Sequence, residues 1–275
     1  MKTRLTKFGG WVLTSLFAAV LIADVAPGLP RFSAHALEIS EKIELADAER
    51  AWLAEHPVIL LGVDPAYPPF EFLEDNVDYR GIASDYIELI GARLEGVDFK
   101  VVLGMSWSDV VAGAKARKID VLPAVTNTSS RREFLNFTRP YIKYPTAIMT
   151  QSDYGRVSGL EDFSGKTVAL VKGYYYVDEV LKRHADIQPL FVDSPRQALI
   201  AVSTGQADAA VENMAVSAYL IETESIANVK VAAEADLHGD GLSFGVRKDW
   251  TLLPGILEKA LNSISREEHR AIRNK

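Results

Sequence analysis

The stretch Trp107–Tyr141, WSDVVAGAKARKIDVLPAVTNTSSRREFLNFTRPY, says more about the fold than any other part of the chain. A helix-like run leads through Lys118-Ile119-Asp120 into the apolar strand Val121–Val125, and hydroxyl side chains and two arginines, Arg131 and Arg132, follow. Such a strand end suits capture of a small carboxylate, because a planar guanidinium can donate to both oxygens and free backbone N–H groups can add to it. We therefore expect an anion site where this strand ends.

The order of helix, tight turn and buried strand occurs twice. Residues 112–117 lead into Ile119-Asp120-Val121, and residues 199–204 lead into Ala207-Asp208-Ala209. Strands that alternate with helices predict largely parallel sheets. Two such sets predict an α/β fold of two lobes, with a cleft between them that receives the carboxyl ends of the strands.

Hydrophobic periodicity and turn residues predict the individual elements. A hairpin is expected at 70–80, with its turn at Glu74-Asp75-Asn76, and Ser106 with Asp109 resembles a helix-capping arrangement. Helices are expected at 47–55, 82–94, 106–117, 177–183, 195–204, 214–222, 252–264 and 266–272, and strands at 58–63, 99–103, 121–125, 146–150, 167–171, 190–192, 209–211, 229–232 and 242–246.

The first 36 residues have the features of an export signal. Three basic residues precede an apolar run, Trp11–Ala23, and Ala34-His35-Ala36 fits a small-x-small cleavage pattern. The run is shorter than the ~20 residues of a membrane-spanning helix. We expect cleavage after Ala36 and a periplasmic location; retention of the segment as an anchor is the alternative.

Charge and composition exclude some classes of partner. Loss of residues 1–36 removes four basic residues and one acidic residue, which takes the formal charge from −7 to −10. An acidic surface argues against nucleic acid, which is bound by clustered Lys and Arg. The chain has no cysteine, so disulfides and a lipid-modified cysteine are excluded.

Several phrases in order resemble the periplasmic solute-binding proteins, specifically the amino-acid-binding branch with type II topology (bacterial extracellular solute-binding proteins, family 3). The resemblance runs from Val58 to the C-terminus, and its order and spacing are more specific than any one phrase. The phrases are Gly62–Phe70, Ile119–Arg131, Phe137–Tyr141, Leu160–Ala169, Gly205–Ala209 and Gly245–Asp249.

The resemblance implies two lobes with mixed or parallel sheets, joined by two crossing strands that close on a ligand. After a helical lead-in at 37–56, the first lobe would span 57–147, the second 148–240, and a return strand with C-terminal helices 241–275. The crossings would lie near Pro145–Gln151 and Gly241–Val246. Matching positions imply that the ligand contacts Asp64, Tyr67, Trp107, Ala124, Thr126, Arg131, Tyr174, Tyr175 and Asn213.

Roles within this set also follow from the resemblance. Arg131 and Thr126 would hold a carboxylate, and Tyr67 and Trp107 would flank the ligand. Arg132 is interpreted as a surface residue, which is the usual place of arginine. Not all of Tyr174, Tyr175 and Tyr176 can face one pocket.

Two departures from the family pattern bear on the ligand. Asn213 stands where the family usually has an Asp that pairs with an α-ammonium group, and Asn lacks that charge. Neighbouring Glu212 would point to the opposite face of a strand. Tyrosines after Gly173 replace small hydroxyl residues and would crowd the pocket. A ligand that has a carboxylate but no amine is therefore as consistent with this sequence as an amino acid is.

Three functions stay open. The first is a binding protein that delivers a carboxylate or amino-acid-like ligand to an inner-membrane ABC permease. The second is the sensing domain of a membrane histidine kinase or diguanylate cyclase, which Asn213 and the helix before the first strand favour. The third, remote one is a dehydratase of the same fold with Glu212 or Glu71 as proton donor. We expect no enzyme activity, cofactor or metal, because the glycines and histidines lack the spacing of such sites.

Overall fold

The computed structural model describes residues 43–237, 239 and 241–274, so the predicted export signal lies outside the described residues. Within these ranges no helix is long and apolar enough to cross a membrane. Two five-stranded sheets and one three-stranded sheet organise the molecule.

The first lobe contains the N-terminal elements and the last strand and helices. Its helices are α1 (Asp47–Glu55), α2 (Ile82–Arg93), α3 (Trp107–Lys115), and, after the second lobe, α7 (Leu253–Ser263) and α8 (Arg266–Arg273). Its strands are β1 (Val58–Leu61), β2 (Ala66–Tyr67), β3 (Glu71–Glu74), β4 (Asp78–Arg80), β5 (Asp98–Val101), β6 (Val121–Thr126), β7 (Leu135–Phe137) and β13 (Leu242–Arg247).

The five-stranded sheet of the first lobe has the order β5-β1-β6-β13-β7. Strand β1 is parallel to β5 and β6, whereas β13 is antiparallel to β6 and β7. All six residues of β6 are buried, which explains why its sequence is continuously apolar rather than alternating. The expected capping of α3 is confirmed: Ser106 Oγ accepts from Asp109 N at 3.3 Å, and Ser106 N donates to Asp109 Oδ2 at 3.1 Å.

A small sheet, β2-β3-β4, carries the loop that reaches the cleft. The predicted hairpin turn is confirmed: residues 75–77 connect the paired residues Glu74 and Asp78, and Asp75 and Asn76 both have positive φ (52° and 62°). Because β2 pairs antiparallel with β3, the loop from Asp64 to Phe70 is held against the first lobe.

The second lobe has the sheet order β10-β9-β11-β8-β12. Strand β9 is parallel to β10 and β11, and β8 is antiparallel to β11 and β12. Its strands are β8 (Thr146–Gln151), β9 (Thr167–Val171), β10 (Gln188–Val192), β11 (Ala209–Asn213) and β12 (Val229–Glu234), and its helices are α4 (Val177–Arg183), α5 (Pro195–Ser203) and α6 (Met214–Thr223).

The chain crosses between the lobes before β8 and again before β13. Strands β8 and β13, which the segments near Pro145–Gln151 and Gly241–Val246 form, are the first members of each sheet after these connections. The first crossing pairs with the first residue of β13: Leu242 N donates to Ile142 O at 2.8 Å, and Tyr141 N donates to Leu242 O at 2.9 Å. Gly241 has φ 102° and its Cα lies against the carbonyl of Ile142, so a side chain there would collide with the first crossing.

Helix α8 packs on α2 of the first lobe. A buried ion pair joins Arg93 Nη2 to Glu268 Oε1 at 2.6 Å, and Tyr86 Oη lies 2.6 Å from His269 Nδ1. Removing one partner of such a buried pair leaves a charge without compensation, which is costly. The C-terminal helix is thereby held on the lobe that also carries Arg131.

Candidate functional site

A small cavity lies between the two lobes. Its volume is about 20 Å³, which is room for about one water molecule. Eight of the nine residues predicted to contact a ligand line it, together with Leu242: these are Asp64, Tyr67, Trp107, Ala124, Thr126, Arg131, Tyr174 and Tyr175. We call this space the inner cavity.

Arg131 follows β6 in a short 3-10 turn and faces the inner cavity. Its side chain is buried, with 7% exposure. Nη1 donates to Thr126 O at 3.0 Å, Nη2 donates to Gly173 O of the second lobe at 2.9 Å, and the guanidinium lies over the Trp107 ring at 5.7 Å. Burial lowers the pKa of Arg131 to about 10. The group therefore stays charged at neutral pH.

No carboxylate forms an ion pair with Arg131 within the part of the chain that the structure describes. The guanidinium of Arg131 is a buried cation that contacts carbonyl oxygens and an aromatic ring. Burying a charge without an ion-pair partner is costly, and an anion at this position would reduce that cost. Arg132 differs sharply, because it is exposed and its Nε donates to Asn127 Oδ1 at 2.7 Å. The contrast between the two arginines agrees with the sequence interpretation.

The turn after β9 brings the second lobe against Arg131. Gly173 adopts φ 77°, a conformation that favours glycine, and its carbonyl accepts from both Arg131 Nη2 and Trp107 Nε1, the latter at 3.0 Å. One backbone oxygen of the second lobe thus occupies donors of two first-lobe side chains.

Tyr174 fills most of the remaining space. Its hydroxyl donates to Asp64 Oδ2 at 2.8 Å, and its ring meets Tyr67 edge-on at 5.5 Å and Trp107 edge-on at 6.4 Å. Asp64 Oδ1 accepts from Ala66 N at 2.9 Å. Burial raises the pKa of Asp64 to about 6, although the hydrogen bonds from Ala66 and Tyr174 oppose that shift.

Tyr175 and Tyr176 take different directions, as expected for three consecutive tyrosines. Tyr175 lines the inner cavity, and its hydroxyl hydrogen-bonds the Thr146 hydroxyl. Tyr176 is 1% exposed and packs into the second lobe. Only two of the three tyrosines therefore contribute to the cavity wall.

Asn213 lies apart from Arg131. It lines an adjoining recess near the crossings, shared with Tyr67, Thr126 and Tyr175. Its Oδ1 caps α6, accepting from Ala215 N at 2.9 Å and from Val216 N at 3.4 Å. This role was missed by the sequence interpretation, although Asn immediately before a helical pattern is a preferred N-cap residue. The cap leaves Asn213 little accepting capacity for a ligand ammonium group.

The two glutamates considered as proton donors do not line the inner cavity. Glu71 is buried at the start of β3: Oε1 accepts from Asp64 N at 2.9 Å and Oε2 accepts from Tyr79 Oη at 3.1 Å. Glu212 Oε1 accepts from Asn213 N at 3.0 Å. Burial raises the pKa of both carboxyls. Glu71 thus orients the backbone of Asp64, a role that no sequence pattern indicated.

The arrangement as a whole brings polar side chains and a backbone carbonyl of both lobes around one guanidinium. Among the described residues no cluster suits a metal ion.

Comparison with known proteins identifies the family of this chain. The profile of the bacterial extracellular solute-binding proteins, family 3, matches residues 59–275. The virulence sensor protein BvgS of Bordetella pertussis is 28% identical over 224 residues, which are 82% of this chain and 18% of BvgS. The ABC transporter arginine-binding protein 1 of Escherichia coli is 24% identical over 210 residues, 75% of this chain and 84% of that protein.

A solved structure of the periplasmic VFT2 domain of B. pertussis BvgS shares the fold. Its TM-score is 0.73 at 27% identity, with 84% of this chain and 98% of that chain covered. The chain spans about a fifth of the length of the curated sensor proteins it matches first. The fold is that of the Venus-flytrap domains, and the relatives include both sensor domains and amino-acid-binding proteins of ABC transporters. The chain belongs to the bacterial extracellular solute-binding proteins, family 3.

Proposed function

We propose that this protein is an exported sensing domain whose cleft takes a small carboxylate, and that the ligand competes with the second lobe for Arg131. The signal segment would be removed after Ala36, which puts the domain in the periplasm. The signal is the change in lobe position that follows when the ligand replaces an internal contact.

One observation carries the proposal: the guanidinium of Arg131 donates to Gly173 O of the other lobe and has no carboxylate partner among the described residues. A carboxylate makes shorter and stronger hydrogen bonds to a guanidinium than a neutral carbonyl does. A ligand carboxylate at this position would therefore displace Gly173 O. Ligand capture and lobe contact would then depend on the same side chain.

The other polar groups favour a ligand that does not require an ammonium partner. Asp64 is already bonded to Ala66 N and Tyr174 Oη, and Asn213 caps α6. The positive charge of Arg131 faces the inner cavity without an ion-pair partner among the described residues. A monocarboxylate flanked by Tyr67 and Trp107 fits this set of groups.

The small size of the inner cavity favours sensing over uptake. About 20 Å³ holds no organic ligand, so the ligand must move Tyr174 or separate the lobes. A sensor benefits from two states that differ by only a few kcal/mol, because a ligand shifts such a balance by its difference in affinity. A transport protein gains nothing from a cleft filled by its own side chains.

Uptake is the second candidate. The similarity to the arginine-binding protein of E. coli over most of its length supports it. In that case the partner would be an inner-membrane ABC permease, whereas a sensor would act on a histidine kinase or a diguanylate cyclase. A ligand that closes an open population would indicate uptake, and a ligand that loosens a closed one would indicate sensing.

The test is a thermal-shift screen of organic acids and amino acids against three proteins: the wild type, Arg131→Ala and Arg132→Ala. A ligand at a hundred times its dissociation constant stabilises the folded state by about 2.7 kcal/mol. We expect the shift to vanish in Arg131→Ala and to persist in Arg132→Ala. Equal shifts in the two variants would reject the assignment of the carboxylate to Arg131.

A further inference from the structure

A second concave surface lies on the outer side of the crossings, away from the inner cavity. It is formed by residues 140–144 of the first crossing, Ile82 at the start of α2, and Arg273 at the end of α8. We call it the hinge groove. Its volume is about 340 Å³, within the range of small-molecule sites and far above that of the inner cavity.

The hinge groove is lined by positive charge, whereas the whole chain has a negative formal charge. Its two charged lining residues, Lys143 and Arg273, are both basic, and no acidic residue lines it. Neither has a carboxylate partner within the described ranges, although acidic residues outnumber basic ones by 37 to 30 along the chain. Two like charges on one concave surface repel each other, so an anion between them relieves an unfavourable interaction.

One of the two cations is held in place by the crossing itself. Arg273 Nη2 donates to Tyr141 O at 2.8 Å, and the guanidinium also hydrogen-bonds the side chain of Tyr86, which leaves only part of its N–H groups for a ligand. A guanidinium has five donors in a fixed plane and can grip two oxygens of one anion. The ammonium group of Lys143, which also lines the hinge groove, can add a further charged donor.

The hinge groove also has an aromatic wall shared with the cleft. Tyr144 is 49% exposed, and its ring contacts that of Phe70 at 5.3 Å, which in turn contacts the ring of Tyr67 at 5.4 Å. Tyr144 and Ile142 line both the hinge groove and the recess that contains Asn213. A ligand in the hinge groove would therefore contact residues that also line the recess beside the inner cavity.

We infer that the hinge groove is a second anion site, which takes a small dicarboxylate or an inorganic oxyanion between Lys143 and Arg273. This site is separate from the carboxylate position at Arg131, and it stands whether or not the proposed function holds. Its occupant would contact residues 140–144 of the first crossing.

Malonate and inorganic phosphate are the probes, titrated by calorimetry and thermal shift against sodium chloride at matched ionic strength. The variant is Lys143→Gln, whose side chain has no hydrogen bond to lose among the described residues. The matched control is Lys118→Gln, which removes one exposed positive charge elsewhere on the first lobe. Arg131→Ala separates the hinge groove from the inner cavity.

We expect saturable binding of at least one probe, weakened about tenfold or more by Lys143→Gln, which is the scale of one charge-assisted hydrogen bond. Arg273→Gln should weaken it likewise, whereas Lys118→Gln and Arg131→Ala should leave it unchanged. Absence of saturable binding at tens of millimolar overturns the inference. Equal weakening by Lys143→Gln and Lys118→Gln, or loss in Arg131→Ala alone, overturns it as well.

Discussion

The hydroxyl of Tyr174 in the second lobe donates a 2.8 Å hydrogen bond to Oδ2 of Asp64 in the first lobe. Both side chains are buried, and the bond lies beside the contact between Arg131 and Gly173. The second lobe thus supplies the donor and the first lobe the acceptor of one buried hydrogen bond. The closed arrangement is stabilised by internal contacts at the position where a ligand would bind.

Tyr174→Phe should loosen the closed arrangement. Asp64 loses a donor while staying buried, so we expect a loss of about 1–3 kcal/mol in the free energy of unfolding and a larger radius of gyration without ligand. Urea denaturation and small-angle X-ray scattering measure the two effects. Tyr176→Phe is the control, since that neighbouring hydroxyl is also buried but makes no hydrogen bond to Asp64. Similar losses in both variants would argue against a specific role for the Tyr174 bond.

Asp64 should make stability depend on pH. Its pKa is raised from 3.8 to about 6, so the folded state binds more protons than the unfolded state between these values. Stability from this group is therefore lost as the pH rises through 6, by about 1 kcal/mol between pH 5 and pH 8. Glu71 and Glu212, whose pKa values are also raised, act in the same direction, whereas His269, whose pKa is lowered by burial, acts in the opposite one.

The difference between wild type and Asp64→Asn isolates that contribution. Urea denaturation at several pH values should give a difference in unfolding free energy that changes by about 1 kcal/mol from pH 5 to pH 8, with the wild type favoured at the acid end. A difference that is constant over this range would mean that Asp64 does not titrate there.

Gly173→Ala should disturb the contact between the lobes beyond its conformational cost. A residue with a side chain at φ 77° is strained by roughly 1–2 kcal/mol, and the carbonyl bonded to Arg131 and Trp107 shifts with it. Gly165→Ala is a close control, because Gly165 has φ 71° and open space around its Cα but no contact with the first lobe. Scattering curves should show opening in Gly173→Ala only; opening in both variants, or in neither, would contradict this expectation.

Glu71 should contribute to the stability of the folded state through the hydrogen bonds of its oxygens rather than through a negative charge. Burial raises its pKa well above the usual range, so Glu71→Gln, which keeps one accepting oxygen, should cost less than 1 kcal/mol. Glu71→Ala leaves Asp64 N and Tyr79 Oη without partners and creates a cavity, so a loss of about 2–4 kcal/mol is expected. Chemical denaturation distinguishes these results, and a glutamine variant as unstable as the alanine variant would indicate that the charge is needed.

Much of the fold was predictable because periodicity and capping are local. The bounds of α1 and α4 agree with the pattern, and Ser106 with Asp109 marked the start of α3. The membership of each sheet was not, because periodicity identifies β8 and β13 as strands without saying to which sheet each belongs. Strand β7 was also missed, since three residues are too few for a periodic signal.

The site was predictable to the extent that a family pattern places residues along the chain. Eight of the nine residues that it indicated line one cavity, but the pattern does not say what each group bonds in this protein. That Asn213 caps α6 and that Tyr174 reaches Asp64 both depend on contacts between distant segments. Those contacts decide how much space and how many free donors a ligand meets.

The most direct measurement is a crystal structure of the protein with the most stabilising carboxylate from the screen. The account predicts a carboxylate oxygen about 2.7–2.9 Å from Arg131 Nη2, with the Gly173 carbonyl displaced from it. A ligand bound elsewhere, with the bond between Arg131 and Gly173 intact, would contradict the central claim.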